Sequence, residues 1–94
     1  MRVRWLRMAI RNLDEEAAYI ANDDSAAARI VVERVLNAVA MLAQQPDMGR
    51  PGRVPGTREL VVQRTRYIVP YRVRGDAVEI LRVFHTSRRL PQSW

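Results

Sequence analysis

Tyr67-Ile68-Val69-Pro70-Tyr71-Arg72-Val73-Arg74-Gly75-Asp76-Ala77-Val78-Glu79-Ile80-Leu81-Arg82-Val83-Phe84-His85 reads as two β-strands around a tight turn. Tyr, Val and Ile dominate both arms, Tyr67–Val73 and Ala77–His85, and Arg74-Gly75-Asp76 supplies the turn chemistry. A link this short makes the arms antiparallel neighbours. Pro70 conflicts with a regular ladder, because it has no N–H to donate, so a bulge or a break is expected there. In the last arm Val78, Ile80 and Phe84 alternate onto one face and Leu81 and Val83 onto the other. A strand apolar on both faces is usually flanked on both sides.

Working outward, Arg58–Val62 reads as a strand before the Gln63-Arg64-Thr65-Arg66 connection, which completes a three-stranded antiparallel meander. Val3–Leu6 alternates apolar residues with Arg and reads as a brief strand beside the last one, giving four in all. Met8–Asn22 has helical spacing, with Ile10, Leu13, Ala17 and Ile20 as its apolar stripe. Asn22-Asp23-Asp24-Ser25 ends that helix and caps the next. The second helix runs from Ser25 to about Gln45, with Ala28, Val31, Val35, Ala38, Val39 and Leu42 inward and Pro46 as its stop. The break between the helices is so short that they form an antiparallel hairpin. Asp47–Thr57, with three Gly and two Pro, is a loop. The fold class is therefore α+β, with the hairpin on one face of the sheet.

Ninety-four residues predict a single domain over 1–94 with one small core. No Cys and one His exclude disulfide scaffolds, thiol nucleophiles and multi-His or Cys-based metal sites, and no cofactor is implied. No apolar run approaches the roughly 20 residues of a membrane span, and Met1–Met8 lacks a signal-peptide core, so a cytoplasmic protein without a membrane partner is expected. All sixteen basic residues are Arg, and they are unevenly placed. Residues 1–47 carry six Arg against seven acids, whereas residues 48–94 carry ten against three, a net of +7. Such segregation points to phosphates or an acidic partner rather than to a merely solubilising surface.

The groups able to carry chemistry are few. His85, at the end of the last strand, with Arg88 three residues on, has the make-up of an acid–base group beside a phosphate clamp. The alternative is that His85 only closes the strand with a hydrogen bond. Arg58, Arg64, Arg66, Arg72, Arg74, Arg82, Arg88 and Arg89 are the candidate partner-binding cations. Some of them are structural: Arg82 shares a strand face with apolar residues, so it needs an internal partner, for which Glu59 and Glu79 are available. Tyr67 and Tyr71 lie on one strand face and read as core. Asp14-Glu15-Glu16 reads as a solvated helix face, since adjacent helical positions do not converge.

The order of elements, together with Gly49-Arg50-Pro51-Gly52-Arg53-Val54-Pro55-Gly56-Thr57-Arg58-Glu59-Leu60, Tyr67-Ile68-Val69-Pro70-Tyr71-Arg72-Val73 and Val78-Glu79-Ile80-Leu81-Arg82-Val83-Phe84-His85 followed by Arg88, resembles the RelE/ParE superfamily of bacterial type II toxins. The resemblance runs from Ala9 to Pro91. It implies a growth-inhibiting toxin, of the kind linked to plasmid stabilisation, that is neutralised by a small cognate antitoxin. It also implies one of two activities. RelE-like members are ribosome-dependent mRNA endonucleases with several cations on the sheet. In this chain Glu59, Val61 and Ile68 fall at three of those positions, only Arg88 matches, and the tail carries Trp94 in place of a Tyr. Glu59 or Arg66 with His85 and Arg88 remains a substitute nuclease set. ParE-like members lack those cations and poison DNA gyrase by binding it, and this residue set favours that branch.

Overall fold

The computed structural model describes residues 1–88 and 90–94. Strand β1 (Arg2–Trp5) leads into helices α1 (Arg7–Ala21) and α2 (Ser25–Ala40), the latter extended by a 3-10 turn over Met41–Ala43. Strands β2 (Arg50–Pro51), β3 (Arg58–Val61), β4 (Tyr67–Arg74), β5 (Ala77–Ile80) and β6 (Phe84–His85) follow. The hairpin turn is capped as its residues predict: the Asp24 carboxylate accepts from the Ala27 N–H at 3.0 Å, a cap worth about 1 kcal/mol.

The sheet order is β1-β5-β4-β3-β2, with β6 also on β4. The strand that reads as apolar on both faces is indeed flanked, by β4 and by a parallel β1. Two features depart from the expected four strands. The two-residue β2 forms inside the Pro/Gly loop and pairs Arg50 with Glu59. The last strand also breaks after Ile80. Tyr71 opposes Ile80 and Ile68 opposes Phe84, so Leu81, Arg82 and Val83 face only Val69 and Pro70. Pro70 is the reason. Its carbonyl accepts from the Leu81 N–H at 2.9 Å, so its nitrogen, which has no hydrogen, faces this same segment. The bulge resets the alternation, and Val83 instead of Phe84 joins Val78 and Ile80 in the core.

The core lies between sheet and hairpin. Leu60, Val62, Tyr67, Val69 and Tyr71 pack against Ala9, Val35, Val39 and Leu42. The second helix buries its predicted stripe. The first packs Leu13 and Ile20 of its predicted stripe against the core, but Ala9 is fully buried while Ile10 is 48% exposed. The inward positions of α1 also include Glu16, read from the sequence as part of a solvated face, and the half-buried Asn12. Both are satisfied by groups on the sheet, which is why that orientation is stable.

Tyr71 ties the Pro/Gly loop to this core. Its hydroxyl donates to the Pro46 carbonyl at 2.7 Å and accepts from the Gly49 N–H at 2.8 Å. A Cβ on Gly49 would lie 2.6 Å from Tyr71 Cε1, so the close approach requires glycine. The loop thereby delivers Arg50 and Arg53 to the sheet face away from the helices.

Candidate functional site

Two buried carboxylates on that face hold most of the nearby arginines. Glu59 accepts from Arg50 at 3.3 Å and, at 2.9 and 3.0 Å, from the backbone N–H and Nε of Arg53. Burial alone would raise its pKa, but the bonds from Arg53 and Arg50 outweigh it and hold the carboxyl below its ordinary value. Glu79 accepts from Arg72 Nε at 2.7 Å, with Arg4 at 3.3 Å and Arg74 at 3.8 Å. The Arg72 bond is the main reason its pKa is lowered.

Several sequence-predicted partner-binding cations therefore have internal roles. Arg72 and Arg74 neutralise Glu79. Arg58 donates to the carbonyls of Gly49 at 2.8 Å and Asp47 at 3.3 Å, bracing the loop. Arg82 is internally partnered, as expected, but not by Glu59 or Glu79. It donates to Asn12 Oδ1 at 2.8 Å and to the Trp94 carbonyl at 3.3 Å, and lies 4.6 Å from the Phe84 ring centre. The bulge at Leu81–Val83 turns it toward α1, where Asn12 Oδ1 also accepts the Val83 N–H.

On the helix side, Glu16 is buried instead of solvated. It accepts the Tyr67 hydroxyl at 2.9 Å and forms an ion pair with Arg88. Burial first, then the adjacent Glu16 carboxylate, pushes the Tyr67 pKa up to about 12. The same carboxylate raises the pKa of Arg88. The ring of His85 meets Tyr67 edge-on at 5.2 Å, and its Nδ1 is 2.7 Å from the Ser87 hydroxyl. Tyr67, His85, Ser87 and Arg88 line a cavity of about 380 Å³ that also takes in Tyr19 and Arg66.

Of the substitute nuclease set, Arg66, His85 and Arg88 share this cavity and Glu59 does not, whereas the RelE-like positions do not converge. Glu59, Val61 and Ile68 share the sheet face away from the helices, as their register on β3 and β4 requires. Arg88 reaches the other side, to Glu16 on α1. Among the described residues, no group of three or more His, Cys, Asp or Glu side chains is placed to hold a metal. Among those residues, no helix is long and apolar enough to cross a membrane.

Arg64 and Arg66 differ from the other candidates. Both are exposed in the β3–β4 connection, and neither side chain has an ion pair or hydrogen bond among the described residues. Arg34 of α2, which sequence reading did not single out, joins them by donating to the Arg64 carbonyl at 3.0 Å. Arg89 lies outside the described residues. Beside this end, α2 and β3 enclose a groove of about 530 Å³ that includes Ala38, Met41, Met48 and Val61. Strand β2 covers β3 only at Arg58 and Glu59, which leaves the outer edge at Leu60 and Val61 without a strand partner among the described residues.

A small sheet with a helical hairpin on one face and an arginine-rich second half is the architecture that the sequence resemblance implies. The chain belongs to the ParE toxin family: residues 3–90 match the model described as ParE toxin of type II toxin-antitoxin system, parDE. It is 52% identical over 91 residues to a protein of Sinorhizobium fredii named "Putative toxin Y4kP", covering 97% of this chain and 94% of that one. It is 34% identical over 83 residues to "Toxin RelE3" of Caulobacter vibrioides, covering 86% and 89%. A solved structure titled as the chromosomal ParDE system of P. aeruginosa superposes with a TM-score of 0.80 at 31% identity, over 90% of this chain and 95% of that one.

Proposed function

We propose that this toxin acts by binding DNA gyrase and stalling it on cleaved DNA, not by cutting RNA. The observation that carries this reading is the state of the RelE-like positions. Glu59 and Ile68 are buried, and Glu59 absorbs two arginines that would otherwise face a phosphate. Arg88, the one matching cation, is committed to Glu16 on the opposite side of the sheet. Phosphoryl transfer needs unspent donors aimed at the developing charge, and each missing one costs a few kcal/mol of barrier. A binding mechanism needs none of them.

In this reading residues 1–94 act as one cytoplasmic domain. A cognate antitoxin neutralises the toxin, and plasmid stabilisation is the expected biological role. The groove between α2 and β3 suits an antitoxin segment, because it offers apolar side chains next to an unpaired strand edge. Expression without antitoxin should induce the DNA-damage response before translation falls, and His85→Ala should leave that response intact. If translation stops first on unbroken DNA and His85→Ala abolishes toxicity, the toxin is an mRNA endonuclease.

A further inference from the structure

From the distribution of spent and unspent charge, we infer that Arg34, Arg64 and Arg66 form a contact site for the phosphate backbone of duplex DNA. This deepens the gyrase reading by assigning the toxin a direct hold on the DNA in that complex. The second half of the chain has a net charge of +7, but the fold does not present it evenly. Glu59 and Glu79 between them engage Arg4, Arg50, Arg53, Arg72 and Arg74. Arg2 pairs with Asp76, Arg11 with Glu15 and Arg88 with Glu16. At the β3–β4 connection no carboxylate plays that part among the described residues.

Three backbone carbonyls of this connection are occupied. The Arg64 carbonyl accepts from Arg34, the Arg66 carbonyl from the Thr86 N–H at 2.7 Å, and the Val62 carbonyl from the Thr65 hydroxyl at 2.9 Å. An approaching anion is spared those three acceptors and meets the exposed Arg64 and Arg66 side chains. Arg64 is also the one described non-glycine residue with positive φ, at 60°. A left-handed conformation costs a branched or long side chain about 1–2 kcal/mol, and glycine or asparagine would relieve it. Strain retained under a cation that has no internal partner points to a use for that side chain. Regularly spaced phosphates suit such a set of guanidinium groups, none of them engaged by a carboxylate among the described residues, because guanidinium binds phosphate bidentately.

The test is the anisotropy of a fluorescein-labelled 20-base-pair duplex titrated with toxin at salt concentrations from about 50 to 200 mM. Each phosphate contact contributes about 0.9 to the slope of log K against log salt, equivalent to about fivefold in affinity at 0.15 M. Arg64→Gln with Arg66→Gln should therefore weaken binding about 30-fold at that salt and flatten the slope by about 2. Arg11→Gln, on the far face of α1, should leave both near the wild-type values. Circular dichroism should show the same fold in every variant. No measurable duplex binding by the wild type, or an unchanged slope in the double variant, overturns the inference. A double variant that keeps its duplex affinity but loses DNA-free gyrase overturns it as well and makes the patch a protein contact. A wild-type toxin that binds duplex through these arginines yet leaves gyrase untouched upholds the site and rejects the gyrase reading instead.

Discussion

Glu16 on α1 and Arg88 beyond β6 form an ion pair across 72 residues of sequence, and the same carboxylate accepts the Tyr67 hydroxyl. One acid thus joins the helical hairpin, the central strand and the C-terminal segment. It also removes from service the cation that a nuclease reading most needs.

Replacing Glu16 should separate these roles. Glu16→Leu strands the buried Tyr67 hydroxyl and is expected to lower stability by about 2–3 kcal/mol in urea denaturation. Glu16→Gln keeps an acceptor and should lose about 1 kcal/mol. Arg88 is half exposed, so water takes over much of its pairing. Equal effects of the two substitutions would contradict the hydrogen bond.

Alkaline pH should loosen the fold through Tyr67. Its pKa is raised to about 12 in the folded protein. The stability it contributes is fully present below its ordinary value near 10 and is lost as pH rises toward 12. Burial shifts Tyr71 in the same direction. Thermal unfolding from pH 9 upward, on the order of 2 kcal/mol across that window, should flatten in Tyr67→Phe.

Acid should act through Glu59 and Glu79. Both have lowered pKa values, so their contribution is present above the ordinary carboxyl value of 4.5 and is lost as pH falls through the folded values. Glu59→Gln should reduce the acid sensitivity between pH 5 and pH 2 while destabilising the protein at neutral pH. A steeper acid dependence in that variant would contradict the pairing with Arg53 and Arg50.

Gly49→Ala is expected to cost about 1–3 kcal/mol, because its methyl group would sit 2.6 Å from Tyr71 Cε1 and 3.0 Å from the Glu59 carbonyl oxygen. Gly75→Ala provides the comparison, since that glycine has open space around it but a φ of 60°. There the loss arises from backbone strain alone and should be about 1 kcal/mol. The melting temperatures of the two variants would show whether steric contact or conformation dominates.

Much of the fold was readable from pattern. The hairpin, the meander and the flanked last strand follow from period and turn chemistry, and Pro70 signalled the bulge. The consequences of that bulge were not readable, because one extra residue exchanges Phe84 for Val83 in the core. The inward place of Glu16 on α1 was hidden for a similar reason: it reads as solvated until its partner Tyr67, 51 positions away, is known, and the partner of Asn12, Arg82, lies 70 positions away. At the site, composition located the basic half but could not tell spent charge from free. Arg72 and Arg82 look like Arg64 and Arg66 in one dimension. Only the fold places Glu79 beside Arg72 and Asn12 beside Arg82.

The central claim is inhibition of gyrase by binding. Purified toxin, gyrase and negatively supercoiled plasmid test it directly, with supercoiling and DNA cleavage followed side by side. Linear DNA that accumulates with toxin and is absent without gyrase is the predicted result. Unaffected gyrase, together with mRNA cleaved on translating ribosomes by the same preparation, would contradict it.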